Sequence, residues 1–191
     1  HTGLGQLGEI VEINIKEGDR AKIRAINIVG ATQFKEKDLR EGFELKTPGW
    51  LSWYKQNDRY SRESLQGDLE KLRSYYMDRG YANFHIDNPQ VTIAPEKDDI
   101  FITIPIVEGD VYRIGEVKLA GNMVVPEAQL KRLLLVAPGQ TFSRKLVTQT
   151  QDLISYRLGE EGFAFAKIEP VTTANDEKKE VAVTFFVDPG N

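Results

Sequence analysis

The side chains best equipped for chemistry are few in this chain, and they are poorly placed for it. His85 is the only internal histidine. To act, an imidazole needs further ligands at metal spacing or a nucleophile beside it. Neither accompanies it, and its neighbours Asn83-Phe84-His85-Ile86-Asp87 read as a half-exposed strand. There is no cysteine, which removes thiolate ligands and thiol nucleophiles together. Glu160-Glu161 and Glu177 lack the spacing of paired catalytic carboxylates and read as solvated. No Gly-rich phosphate loop recurs. The expectation is a protein that is not an enzyme and uses no cofactor and no metal. Trp50, Trp53 and Tyr54 form a local aromatic group, which serves either as a partner patch or as a satellite core folded back on the nearest helix; packing is the favoured reading. What remains is main-chain chemistry, the hydrogen-bonding capacity of an exposed sheet edge.

The elements that would carry such an edge occur twice. Residues 17–30, Glu17-Gly18-Asp19 through Ile28-Val29-Gly30, return as residues 108–121, Glu108-Gly109-Asp110 through Leu119-Ala120-Gly121. Asp188-Pro189-Gly190-Asn191 begins the same joint a third time. Self-similarity at a fixed period marks an array of modules, which turns the question from which reaction to which partner. The 191 residues carry a formal net charge of −4 with both signs interspersed, which argues against a nucleic-acid binder with its basic face. No stretch approaches the roughly 20 apolar residues of a membrane-spanning helix. Residues 1–8 read as a loop or an expression remnant, and the chain as an excised piece of something longer.

Each module reads strand, helix, helix, strand, strand, an α+β order. In the first, residues 21–29 form the opening strand and 34–43 a short helix stopped by Pro48-Gly49. Ser61 caps a second helix whose Leu65, Leu69, Leu72 and Tyr76 line one face. Gly80 terminates it. Strands over 81–94 and 100–107 follow, divided by the polar turn at 96–99. In the second module the counterparts are 111–120, 126–135, 143–162 and the strands that follow, the last over 181–187. The link from Pro48 to Ser61 is eight residues longer than that from Pro138 to Ser143 and holds the tryptophans. Residues 9–16 alternate as the last strand of a preceding module.

The fourth element changes phase. Phe84 and Ile86 share one face, whereas Val91 and Ile93 fall on the opposite parity. Only an inserted residue, a β-bulge, keeps one face buried through such a shift. Ala166 and Ile168 give way to Val171 across Pro170 in the same manner, so a bulge is expected there too. Proline belongs at an edge or a bulge because it lacks the ladder N–H. Both features make this element the exposed edge of its sheet. Pro105, on an interior strand, is expected to turn its nitrogen away from the ladder.

Residues 26–30 and 72–82 (Leu72-Arg73-Ser74-Tyr75-Tyr76-Met77-Asp78-Arg79-Gly80-Tyr81-Ala82), the element order and the Trp50-Leu51-Ser52-Trp53 insertion together resemble the POTRA modules of the Omp85 family, over nearly the whole chain beyond its first residues. The resemblance is to the third module for residues 20–109 and to the fourth for 110–189, with 1–19 a leader and the end of the preceding module and 190–191 the start of the next. It implies two helices on a three-stranded mixed sheet in each module, the second strand at the edge, and a place in the periplasmic portion of a bacterial outer-membrane protein. It further implies a docking arm of the outer-membrane β-barrel assembly machinery. Its partners would be the β-propeller lipoprotein BamB, unfolded outer-membrane protein clients and, indirectly, other lipoproteins. Strand addition gives affinity that barely depends on sequence, and the expected docking edge is 81–87 with Asn83, His85 and Asp87 outward. The expected partner-binding residues are Arg79, Tyr81, Asn83, Phe84, His85 and Asp87. Protection of this edge by its bulge and proline is the competing reading, and another Omp85-type translocation protein is the alternative assignment.

Overall fold

A computed structural model describes residues 22–49, 60–94 and 99–190. The expected strand over 9–16, the Trp50, Leu51, Trp53 and Tyr54 insertion and most of the turn at 96–99 lie outside the described residues. The described elements run β1 Lys22–Val29, α1 Glu36–Arg40, α2 Arg62–Met77, β2 His85–Ile86, β3 Gln90–Ala94, β4 Asp99–Val107, then β5 Arg113–Gly121, α3 Glu127–Lys131, α4 Arg144–Glu160, β6 Lys167–Asn175 and β7 Glu180–Asp188. Two compact units result. Among the described residues, one contains those up to Arg73 with His85–Val107, and the other contains Ser74–Phe84 with those from Glu108 onward.

In the first unit β4 is central. It pairs parallel with β1 and antiparallel with β2 and β3. In the second unit β7 is central, parallel to β5 and antiparallel to β6. The central strands alternate cleanly. Ile100, Ile102, Ile104 and Ile106 are buried in β4, and Val181, Val183, Phe185 and Val187 in β7. The intervening residues lie on the other face, as a period of two requires. In the second unit Leu130, Val147, Ile154 and Leu158 from the helices complete one core with these strand residues.

Both opening strands carry one extra residue, between Ile23 and Ala25 and between Ile114 and Val117. Each closes at a glycine that its position strongly favours. Gly30 and Gly121 have φ of +100° and +89°, and a Cβ on either would run into the carbonyl oxygen of Ile106 or Val187.

The long helices start where capping predicts. Ser61 Oγ accepts from Ser64 N at 3.1 Å and Ser143 Oγ from Leu146 N at 3.3 Å, each cap contributing about 1 kcal/mol. The short helices are shorter than expected, because after them the chain tightens into three-residue turns such as Phe43 N to Arg40 O and Leu133 N to Leu130 O. One face reading is corrected. The buried positions of α2 are Leu65, Asp68, Leu72 and Tyr76, and Leu69 is only half-buried. A carboxylate occupies the core position because it is fully employed: Asp68 accepts from Glu44 N at 2.7 Å and Leu45 N at 2.9 Å.

Candidate functional site

The edge strands bear out the phase argument in one unit and correct it in the other. In the first unit His85 and Ile86 pair with Val107 and Ile106, and Gln90 to Ala94 with Thr103 to Asp99. The register slips by one residue between them, so the bulge lies within 87–90. In the second unit β6 runs opposite β7 without any slip, and Pro170 sits opposite Phe185. The phase change there is absorbed by exposure instead: Val171 is 42% exposed.

The strand expected over 81–94 is also shorter. Residues 81–84 form turns, with Ala82 N bonded to Gly80 O and Phe84 N to Tyr81 O. Turn hydrogen bonds of this kind use up the main-chain groups a strand would present.

Of the six expected partner-binding residues, four belong to the second unit and two to the first. In the second unit, Tyr81 and Phe84 are buried. Phe84 stacks on Tyr76 with ring centres 4.3 Å apart, and Tyr81 meets the same ring edge-on at 5.3 Å. Arg79 is exposed and lies over the Tyr75 ring at 3.6 Å, its Nη1 donating to the Tyr75 carbonyl at 2.9 Å. Asn83 is exposed yet engaged: its Nδ2 donates to Tyr112 Oη at 2.7 Å and to Asp176 Oδ1 at 3.2 Å. Tyr112 donates to the same Asp176 oxygen at 2.6 Å. The Tyr112 hydroxyl and then the Asn83 amide hold the Asp176 carboxyl below its ordinary value.

In the first unit, His85 and Asp87 are both exposed, with Nε2 and Oδ1 3.5 Å apart. They flank the edge itself. Asp87 N donates to Pro105 O at 2.9 Å. In a strand, the nitrogen and carbonyl of one residue point to the same side and successive residues alternate. Asp87 therefore faces β4, and Ile86 turns its N–H and C=O outward. By the same alternation along β4, Thr103, Phe101 and Asp99 face β3, which leaves the N–H and C=O of Val91 and Ile93 on the open side. Pro105 is corrected by this geometry. Its nitrogen points into the ladder, at the mouth of the bulge, where the pairing is already interrupted. Among the described residues no strand pairs with the outer side of β2 or β3.

The family model described as POTRA, surface antigen variable number repeat, matches residues 21–109 and again 112–190. The chain belongs to the POTRA family. The two POTRA matches take in both sheets. As a POTRA chain it is part of the periplasmic portion of an outer-membrane protein, and no helix among the described residues is long and apolar enough to cross a membrane. The chain is similar to the outer membrane protein assembly factor BamA of Neisseria meningitidis serogroup B, 29% identical over 94% of this chain and 23% of that protein. It is also similar to BamA of Buchnera aphidicola, 27% identical over 93% of this chain and 29% of that one. It thus spans about a quarter of these relatives. Among solved structures, a crystal structure of Haemophilus influenzae BamA POTRA3-5 superposes with a TM-score of 0.75 at 27% identity, covering 90% of this chain and 67% of the other.

Proposed function

We propose that this chain is a docking segment in the periplasmic arm of an outer-membrane protein assembly factor, and that it takes up extended polypeptide by strand addition at the β2–β3 edge of its first unit. The row of outward main-chain groups on Ile86, Val91 and Ile93 carries this reading. An added strand satisfies such groups whatever its side chains, so one edge serves many clients. That tolerance suits unfolded outer-membrane proteins, whose strands share a pattern rather than a sequence. The exposed His85 and Asp87 stand beside the outward groups of Ile86, where they bias which polar side chains an added strand presents. The relatives' name, outer membrane protein assembly factor, agrees with a scaffold that binds and positions. The resemblance to a third POTRA module points to the β-propeller lipoprotein BamB as the resident partner at this edge, with unfolded clients as the transient ones.

The test is binding of purified BamB, and separately of a synthetic outer-membrane strand peptide, to the chain and to Val91→Pro. That substitution removes an outward N–H and no ladder bond, the setting in which an edge tolerates proline. With circular dichroism unchanged, binding is expected to weaken about tenfold or more. Undiminished binding of both ligands by the folded variant overturns the edge as the docking site.

A further inference from the structure

The two edges are not equivalent, and one side chain contributes to the difference. In β7 the Val187 carbonyl accepts from Asn122 N at 2.9 Å, on the β5 side. Alternation then aims Phe186 and Asp188 at β6, and with them their partners Glu169 and Lys167. Ile168 and Pro170 are left facing the open side. At Ile168 that outward carbonyl is already taken: Gln151 Nε2, reaching across from α4, donates to it at 2.8 Å. At Pro170, the next outward position, there is no N–H to offer. The groove between α4 and this edge, about 460 Å³ and lined by Gln151, Ser155, Ile168 and Pro170 among others, has room for side chains of an extended segment. Of the adjoining main-chain groups, the Ile168 carbonyl is occupied and Pro170 has no N–H to give.

The first unit shows the same place without the device. The long helices correspond Ser61 to Ser143 and the edges Ile86 to Ile168, at one constant offset in the sequence. Leu69 is therefore the counterpart of Gln151. A leucine donates no hydrogen bond, so it leaves the outward carbonyl of Ile86 to an incoming strand.

We propose that Gln151 is a cap on the second edge, which with Pro170 denies extended polypeptide to the α4 side of β6 and directs strand addition to the first unit. This deepens the docking function proposed above and rests on it for the identity of the ligand. An added strand at β6 has to compete with the Gln151 amide for the Ile168 carbonyl, so the cap costs the competitor up to the net strength of about one hydrogen bond.

The experiment titrates the 191-residue chain with a ten-residue peptide of alternating apolar and threonine residues. Amide resonances of Ile86, Val91, Ile168 and Thr172 report on the two edges separately. Three variants accompany the parent: Gln151→Leu, which installs the residue the first repeat uses; Gln151→Ala, in case leucine perturbs the helix; and Leu69→Gln. In the parent, the peptide is expected to move Ile86 and Val91 and leave Ile168 still. Either Gln151 variant brings Ile168 and Thr172 into play with affinity gained roughly fivefold, and Leu69→Gln weakens the response at Ile86 by a similar factor. A response at Ile168 already equal to that at Ile86 in the parent, or a silent Ile168 in both Gln151 variants, overturns the cap. A parent silent at Ile86 whose Gln151 variants respond at Ile168 keeps the cap and overturns docking at the first edge.

Discussion

Asp68 and Thr150 stand at the same position of the two repeats and perform the same task with different chemistry. Each is fully buried on the inner face of a long helix, and each gives its side-chain oxygen to the backbone that follows the short helix. Asp68 serves Glu44 N and Leu45 N; Thr150 Oγ1 serves Leu135 N at 3.0 Å. The link after a short helix has no ladder to join, so its amides need a partner from the helix above.

Asp68→Ala leaves two amides without an acceptor and opens space in the core, and is expected to cost about 3 kcal/mol. Thr150→Val keeps the volume and loses one bond, with a cost of about 1 kcal/mol. Urea unfolding of the two variants should show this ordering. Equal midpoints would mean that water replaces the carboxylate.

Tyr76 Oη donates to Glu108 Oε2 at 2.8 Å, both groups buried within the second unit. Tyr76→Phe removes this bond from the buried carboxylate and is expected to destabilise by about 1 kcal/mol. Burial first, and the bond to Glu108 second, push the Tyr76 hydroxyl well above the ordinary phenol range. The protonated phenol is the form the fold favours. Its stabilisation is complete below the unfolded phenol's pKa of about 10 and declines as pH rises above it. Tyrosinate absorbance of the parent should retain a phenol that ionises only on unfolding, and the Phe variant should lack it.

Asp176 gives the opposite sign. Its folded carboxyl titrates lower than the unfolded one because the Tyr112 hydroxyl and the Asn83 amide stabilise the anion. The benefit is present above the unfolded carboxyl's pKa of about 3.9 and lost as pH falls below it. Thermal midpoints of Asp176→Asn and the parent should therefore differ at pH about 7 and converge toward pH about 3. A gap that persists in acid would assign the loss to packing.

Gly30→Ala and Gly121→Ala should each cost about 2 kcal/mol or more, since positive φ and a collision with the central strand's carbonyl act together. A paired thermal scan with Gly139→Ala as control separates the two causes: Gly139 has φ of +87° and open space around its Cβ.

Much of this architecture was legible from local signals. Ser61, Ser143, Gly30 and Gly121 announce themselves because caps and left-handed turns demand particular residue types. The bulge within 87–90 was legible because four apolar residues disagree in parity. The same reasoning failed at Pro170, since one exposed valine is a cheaper solution than an inserted residue and the sequence does not say which face can be left open. It failed at Leu69, where helical spacing favours leucine over Asp68; the amides that make a buried carboxylate acceptable come from a segment more than twenty residues away. The extent of the edge was overestimated because residues 81–84 alternate like a strand while their main-chain bonds close as turns. Gln151 carried no sequence signal at all, and only its aim at Ile168 singles it out.

The strand in the middle of each sheet is the last to be written. Arg24 on β1 binds Asp99 at the start of β4 at 2.7 Å, across 75 residues of chain. During synthesis, amino end first, each opening strand is made well before the central strand it will pair with, and so is each edge strand. The sheet waits for its final strand and then gains both ladders at once. A module truncated before β4 or β7 would lack the strand to which every other strand of its sheet is paired. Synthesis from the amino end thus converts a spatial order into a timetable, in which each sheet can close only after its final strand has arrived.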